Sequence, residues 1–390
     1  MNIEKFSTDL NDILSSWKEK HIFNFEITTT NKCNCNCLYC FENNKERTDK
    51  IYKVSDIIKN IHYLLSHPLF SDHFKVINLS FWGGEPTLKI DDILTYIEEF
   101  GKNQSIAWHF YTNGTLKDNI KKIIKELKKR DALSRLKLQI SWDGDPIHDI
   151  NRISKTGISK SSLIKETFKE LYYEGINLDL KGTISPKDFK YIPEIWKSYE
   201  SFINDVTEGN EHHLVWAPTI DQTFDSENDY YDDFVRSLPI ICNYEIEYYK
   251  KYHSNLLSWF GSDAHSCSYR EGMCCVGSDG FVYTCHGVPY VKEDCKSEIL
   301  GNISDTKWIN DYLSNVGTHS LIIQDECNSC TATHCSICCV QSMIRSKKPT
   351  QIEKWYDRTL QKQLCKYYKI FGIYDKALHT ILTRNCIKDF

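Results

Sequence analysis

Residues 28–43 read TTTNKCNCNCLYCFEN, and Cys33, Cys37 and Cys40 fall there with the spacing C-x3-C-x2-C. Three thiols this close commit the segment to a loop folded around a ligand. A four-iron cube needs thiolates aimed at its corners. Gaps of three and two residues let one loop cover three corners, so the fourth iron keeps no protein ligand and can chelate a small molecule. The rival reading is a zinc knuckle, but zinc sites pair their ligands as C-x2-C and take four, whereas three are local here. Cys35 fits the spacing less well and is read as a spare thiol.

The stretches around the loop set the fold class. Residues 21–29 (HIFNFEITT) alternate and are β-rich, a first strand running straight into the cysteines. Further strands are expected at 75–81, 105–111, 137–142, 177–183 and 213–217, and helices at 54–66, 90–102, 117–129, 161–174 and 190–204. Strands alternating with helices imply a parallel sheet with helical crossovers. A closed barrel takes eight strands, so six predict an α/β fold, a partial (β/α)6 TIM-type barrel open on one side. The expected organisation is a helical lead-in over 1–20, the barrel over 21–222, a tyrosine-rich helical bridge over 223–265 and a cysteine-rich module over 266–390.

Composition narrows the class. Seventeen cysteines, an odd number, argue for metal or catalysis before a disulfide framework. The first twenty residues are amphipathic and charged, without the apolar centre of a signal peptide, and no apolar run is long enough to span a bilayer. A cytoplasmic protein is therefore expected, with no membrane partner. A net charge of −5 gives no footing for nucleic acid, and the Lys-rich helix over 117–129 reads as a solvated face.

Three glycine-bearing segments come after predicted strands. Phe81-Trp82-Gly83-Gly84-Glu85-Pro86 follows the second. Paired glycines allow close backbone approach to a ligand, Glu85 can accept from an ammonium group, and Pro86 suits the first turn of the next helix. Thr112-Asn113-Gly114 follows the third, and Asn-Gly is a turn signal by itself. Ser141-Trp142-Asp143-Gly144 follows the fourth, with His148 and Arg152 beyond; His148 is read as a capping or core residue.

Together these segments resemble the radical S-adenosylmethionine (SAM) enzymes. The cysteine loop with Tyr39 before its last thiol, the GGEP segment, the TNG segment and S-x-D-G…H-x-x-x-R match that family's pattern in order. The resemblance implies a SAM-binding [4Fe-4S] cluster on Cys33, Cys37 and Cys40. It implies a SAM pocket of Tyr39, Gly83, Gly84, Glu85, Pro86, Asn113, Ser141, Asp143 and Arg152, with Arg152 suited to the methionine carboxylate through paired hydrogen bonds. The reaction implied is reductive cleavage of SAM to a 5′-deoxyadenosyl radical that abstracts hydrogen from a substrate.

Twelve cysteines lie from Cys267 onward, including Cys274, Cys275, Gly280-x4-Cys285 and Cys327-x2-Cys330-x4-Cys335-x3-Cys339. This resembles the SPASM domain of peptide-modifying radical SAM enzymes, in which the gap matching Cys330 to Cys335 is x5 rather than x4. The family connectivity implies one auxiliary [4Fe-4S] cluster on Cys267, Cys274, Cys285 and Cys339 and a second on Cys327, Cys330, Cys335 and Cys365, three clusters in all. Cys275 for Cys274 and Cys338 for Cys339 stay open as adjacent alternatives, and Cys295 and Cys386 look spare. A zinc ribbon is the rival reading of 327–339.

SPASM enzymes act mostly on peptides. The activity expected is an oxidoreductase that matures a ribosomally made precursor peptide by a carbon–carbon or thioether crosslink. Its electron donor would be a flavodoxin or ferredoxin. With about twenty residues before the first strand there is no room for a winged-helix leader-binding module, so leader binding is left to the bridge, the SPASM face or a separate leader-binding protein. An alternative is an anaerobic sulfatase-maturing enzyme making formylglycine. In that group an Asp base follows the G-x4-C cysteine, and here His286 stands there. The catalytic residue is therefore open between Asp143 and His286. A non-catalytic iron–sulfur or zinc scaffold is the reading from another class, and such a protein has no need of Gly84 and Glu85.

Overall fold

The structure, a computed structural model, describes residues 22–40, 49–155, 160–209, 219–220, 230–257, 272–290, 296–316 and 358–386. The lead-in over 1–20 and the strand expected at 213–217 lie outside these residues.

In chain order the elements are β1 (Ile22–Thr30), β2 (Cys35–Cys37), α1 (Val54–Ser66), α2 (Pro68–His73), β3 (Val76–Gly83), α3 (Ile90–Phe100), β4 (Ile106–Thr112), α4 (Lys117–Lys129), β5 (Leu136–Ser141), α5 (His148–Asn151) and β6 (Arg152–Ser154). They continue as α6 (Ser161–Tyr173), β7 (Leu178–Lys181), β8 (Thr183–Ile184), α7 (Ile192–Thr207), β9 (Thr219–Ile220), α8 (Tyr231–Tyr252), β10 (Met273–Val276), β11 (Phe281–Tyr283), β12 (Ile299–Asn302), α9 (Lys307–Ser314) and α10 (Arg358–Cys386). The main sheet has eight strands in the order β12-β11-β10-β1-β3-β4-β5-β7. From β10 through β7 every neighbouring pair is parallel, and β10-β11-β12 is an antiparallel meander on the edge. Beyond Gly182, β8 continues from β7 and pairs in parallel with β9.

Alternation along the strands sorts the two faces. Phe25, Ile27, Leu79, Phe81, Trp108, Phe110, Leu138, Ile140 and Leu180 join one buried core with the helices outside the sheet. In α4 the residues Ile120, Ile123, Ile124 and Leu127, one helical stripe, are the buried ones. The opposite sheet face carries Glu26, Ser80, Trp82, His109, Tyr111, Gln139, Ser141, Asp179 and Lys181, and it lines the inside of the partial barrel.

One feature departs from the sequence expectation. A strand from the cysteine-rich region, β10, lies directly beside β1 in the barrel sheet, in the register Glu26 to Cys275. The bridge forms α8, held to the barrel by Glu245, whose buried carboxylate accepts from Trp196 Nε1 in α7 at 2.6 Å and from the backbone N–H groups of Leu256 and Leu257. Cys242 in α8 is a buried thiol, and burial pushes its pKa up to about 12. Among the described residues no helix is long and apolar enough to cross a membrane.

Candidate functional site

Every strand-end segment singled out above meets at one end of the barrel. The cysteine loop leaves β1 and is pinned by a short antiparallel ladder, in which Cys35, Asn36 and Cys37 pair with Ser154, Ile153 and Arg152. Cys35 and Cys37 are buried and Asn36 between them is exposed. Cys33 and Cys40 are half-buried, and none of the described cysteines forms a disulfide. Asn113 Nδ2 reaches Cys33 Sγ at 3.9 Å and Cys35 Sγ at 3.6 Å, so three segments converge here. A hydrogen bond with Cys33, together with burial, holds the Cys35 thiol well above the usual range. Among the described residues no three Cys, His, Asp or Glu side chains converge tightly enough for a single metal ion. Three thiols on one loop are the donor set that a four-iron cluster with one open iron takes.

The glycine pair is placed by the chain's own backbone. A Cβ on Gly84 would sit 2.3 Å from the carbonyl oxygen of Lys32, and one on Gly83, at φ +125°, would sit 2.3 Å from that of Thr30. Gly84 N–H donates to Thr30 O and Glu85 N–H to Lys32 O, each at 2.9 Å. The close approach anticipated toward a ligand is thus spent on the start of the cysteine loop.

Glu85 likewise turns inward and is 1% exposed. Its Oε1 accepts from Thr87 N–H at 3.1 Å, Thr87 Oγ1 at 2.5 Å and Thr112 Oγ1 at 2.8 Å, and its Oε2 accepts from Asn113 N–H at 2.8 Å. The carboxylate therefore clips the β3 and β4 ends together. Pro86 opens a short 3-10 turn leading into α3, as anticipated.

Asp143 is fully buried and is a hub. It accepts from the Tyr39 hydroxyl, from Arg152 Nε at 3.0 Å and from Thr183 N–H at 2.8 Å. The Arg152 guanidinium also lies 5.3 Å from the Tyr39 ring centroid. Three donors thus hold Asp143 in place between the cysteine loop, β6 and the end of the barrel sheet. His148 is buried and accepts from Asp143 N–H through Nδ1 at 3.1 Å; burial lowers it to about 4, so it is a neutral core histidine. Ser141 pairs with Lys181 in the sheet register and faces the chamber.

The profile of the radical SAM superfamily matches residues 27–177. Residues 27–177 of this chain are a radical SAM domain. Radical SAM cyclopropyl synthase TigE of Paramaledivibacter caminithermalis is 24% identical to it over 384 residues, 88% of this chain and 72% of that one. Uncharacterized protein MJ0907 of Methanocaldococcus jannaschii is 29% identical over 274 residues, 66% of this chain and 88% of that one. Among solved structures, native anSMEcpe with bound AdoMet and Kp18Cys peptide superposes with a TM-score of 0.66 at 18% identity, over 93% of this chain and 99% of that one. Streptococcus suis SuiB bound to precursor peptide SuiA gives 0.56 at 15% identity, over 93% and 82%. At these identities the two structures speak for the fold.

The radical SAM chamber has a second wall, of which the sequence reading named only His286 as a candidate. His286, after β11, has Nδ1 2.9 Å from Glu26 Oε2 and its ring 4.6 Å from that of Trp82. Tyr111 follows 4.9 Å from Trp82, and His109 lies 4.2 Å from Tyr111. Burial lowers His109 to about 4 and also lowers Lys181. The signal for Glu26, His109 and Lys181 was alternation: each is a polar residue between core residues on a parallel strand. Cys274 and Cys285 are buried, and Cys274 belongs to the hydrophobic core cluster. Cys267, Cys327, Cys330, Cys335, Cys338 and Cys339 lie outside the described residues, and the side chain of Cys365 in α10 is outside them too.

Proposed function

We propose that this chain is a radical SAM peptide maturase with a C-terminal SPASM domain, which forms an oxidative carbon–carbon or thioether bond in a ribosomally made precursor peptide. Cys33, Cys37 and Cys40 would hold the SAM-binding cluster, and the cysteines from Cys267 onward two auxiliary clusters. When bound and reduced, the first cluster supplies the electron that releases a 5′-deoxyadenosyl radical from SAM. The chain's own part is to orient and shield. Gly83, Gly84, Pro86, Asn113, Ser141 and Arg152 would frame the cofactor, with Asp143 holding Tyr39 and Arg152 in place.

The observation that carries the reading is the sheet continuity of β10 with β1. It builds part of the cysteine-rich region into the wall of the radical chamber, where a substrate radical would need an electron acceptor. The named activity of the cyclopropyl synthase relative supports ring- or bond-forming chemistry. The peptides bound in the two similar structures support a peptide substrate. A flavodoxin or ferredoxin as donor, and a separate leader-binding protein, complete the scheme.

A second reading, formylglycine formation, is favoured by one observation: the Glu26–His286 pair stands where that group carries its base. Mass spectrometry separates the two. Co-expression with a short peptide encoded beside the gene should give an internal crosslink with loss of two hydrogens. A Cys or Ser converted to an aldehyde would instead establish the second reading. A reduced, reconstituted protein that leaves SAM intact would defeat both.

A further inference from the structure

We infer that Cys275, not Cys274, is the thiolate that β10 contributes to an auxiliary iron–sulfur cluster, together with Cys285. This rests on the auxiliary-cluster reading proposed above and deepens it. Two adjacent cysteines on one strand must point to opposite faces of the sheet, so only one can share a face with Cys285.

Both neighbours of β10 give the same answer. On the β1 side, Cys274 is in register with Phe25 and Cys275 with Glu26. Phe25 is in the hydrophobic core, and Cys274 and Val276 join it there. Glu26 lies on the chamber face, where it meets His286, the residue after Cys285. On the β11 side, Cys275 is in antiparallel register with Tyr283, and Val276 with Val282. Facing partners in an antiparallel pair share a side. Cys285 lies two residues beyond Tyr283, in the bend that follows β11, directly before the chamber-facing His286. Val282 sits with Val276 in the core, which fixes the parity independently.

The surroundings agree with the geometry. Cys274 is enclosed by apolar side chains, a setting that suits a small buried thiol. Cys275 has the Thr28 hydroxyl 3.8 Å from Sγ, and hydrogen bonds to sulfur are among the features that tune a cluster. Thr28 is also one of the last residues of β1 before the SAM-cluster loop. The ligand on β10 would thus face the same chamber as the loop that carries Cys33, Cys37 and Cys40.

The test uses the full chain with Cys33, Cys37 and Cys40 replaced by alanine, so that remaining iron is auxiliary. Iron and sulfide per chain, and the electron paramagnetic resonance (EPR) of the reduced protein, are measured after anaerobic reconstitution. Adding C275S should remove about one cluster's worth of iron, roughly four atoms, or convert that cluster to a three-iron form. Adding C274A should leave iron and spectrum unchanged and lower only the melting temperature. Full iron in C275S, or the deficit appearing in C274A instead, overturns the assignment. No iron at all in the background chain overturns the auxiliary-cluster reading, and the inference with it. Selenocysteine at position 275 tests the point without loss of a ligand. Selenium-77 hyperfine coupling in the auxiliary signal is expected, and its absence from a fully loaded protein contradicts the inference.

Discussion

Asn113 donates its backbone N–H to Glu85 Oε2 at 2.8 Å while its side-chain amide reaches Cys33 Sγ at 3.9 Å. One residue thus ties the clip between β3 and β4 to the metal loop after β1. The GGEP and TNG segments, which look like two separate ligand contacts in the sequence, form one connected scaffold. They hold the cysteine loop from behind before they touch any cofactor.

Replacing Glu85 should therefore damage the cluster site at a distance. In E85Q the amide nitrogen would point its hydrogens at either the Asn113 N–H or the Thr donors, leaving at least one buried donor unmet. The expected cost is about 2–3 kcal/mol, read by chemical denaturation of the iron-free protein. Iron retention after gel filtration should fall in parallel. A stable E85Q protein that has lost only SAM affinity would point back to a direct ligand role.

The glycine pair gives a sharper contrast. G84A places a methyl 2.3 Å from the Lys32 oxygen and 2.6 Å from its carbonyl carbon, and neither is a flexible side-chain end. We expect a loss of about 3 kcal/mol and failure to assemble the SAM-binding cluster. G175A, at φ +74° with nothing within 4 Å of the new Cβ, should cost only the left-handed backbone penalty of about 1–2 kcal/mol and retain iron. Iron content and melting curves of the two variants side by side test this.

The parallel order and the strand-end placement of each motif were legible because period-two alternation and glycine turns are local signals. Two kinds of fact were not. The pairing of β10 with β1 joins residues about 250 apart, and no local pattern announces which strand edge a later segment will take. The inward turn of Glu85 is likewise invisible: an acidic residue after two glycines reads as an exposed acceptor until Thr87, Thr112 and Asn113 are seen to enclose it. Asp143 fits the same pattern, since its three donors come from Tyr39, Arg152 and Thr183.

Glu245 predicts a pH dependence in the joint between α8 and the barrel. Burial raises its carboxyl from the ordinary value to about 7, partly offset by the Trp196, Leu257 and Leu256 donors. An acid with a raised folded pKa binds its proton more tightly in the folded chain. Its stabilising contribution is complete below the usual glutamate value and is lost as pH rises through about 7. The lost amount is about 3 kcal/mol. Denaturation midpoints of wild type should thus decline across this range relative to E245Q, whose curve should be flatter. Equal slopes would mean that Glu245 titrates normally.

The Glu26–His286 pair yields the prediction closest to the chemistry. His286 is half-buried on the chamber wall, and the nearly buried Glu26 carboxylate, 2.9 Å from Nδ1, fixes which ring nitrogen faces inward. If that nitrogen accepts a proton as the new bond forms, removing it should spare SAM cleavage and block the later bond-forming step. H286A is then expected to retain 5′-deoxyadenosine formation within a few-fold while peptide product falls about 100-fold, the usual scale for losing a general base. E26Q keeps the ring but weakens its orientation, so its product yield should lie between H286A and wild type. Both quantities come from one anaerobic reaction, by chromatography of the nucleoside and mass spectrometry of the peptide. Parallel loss of nucleoside and product in H286A would make the histidine a wall residue stacked on Trp82, with no part in proton transfer.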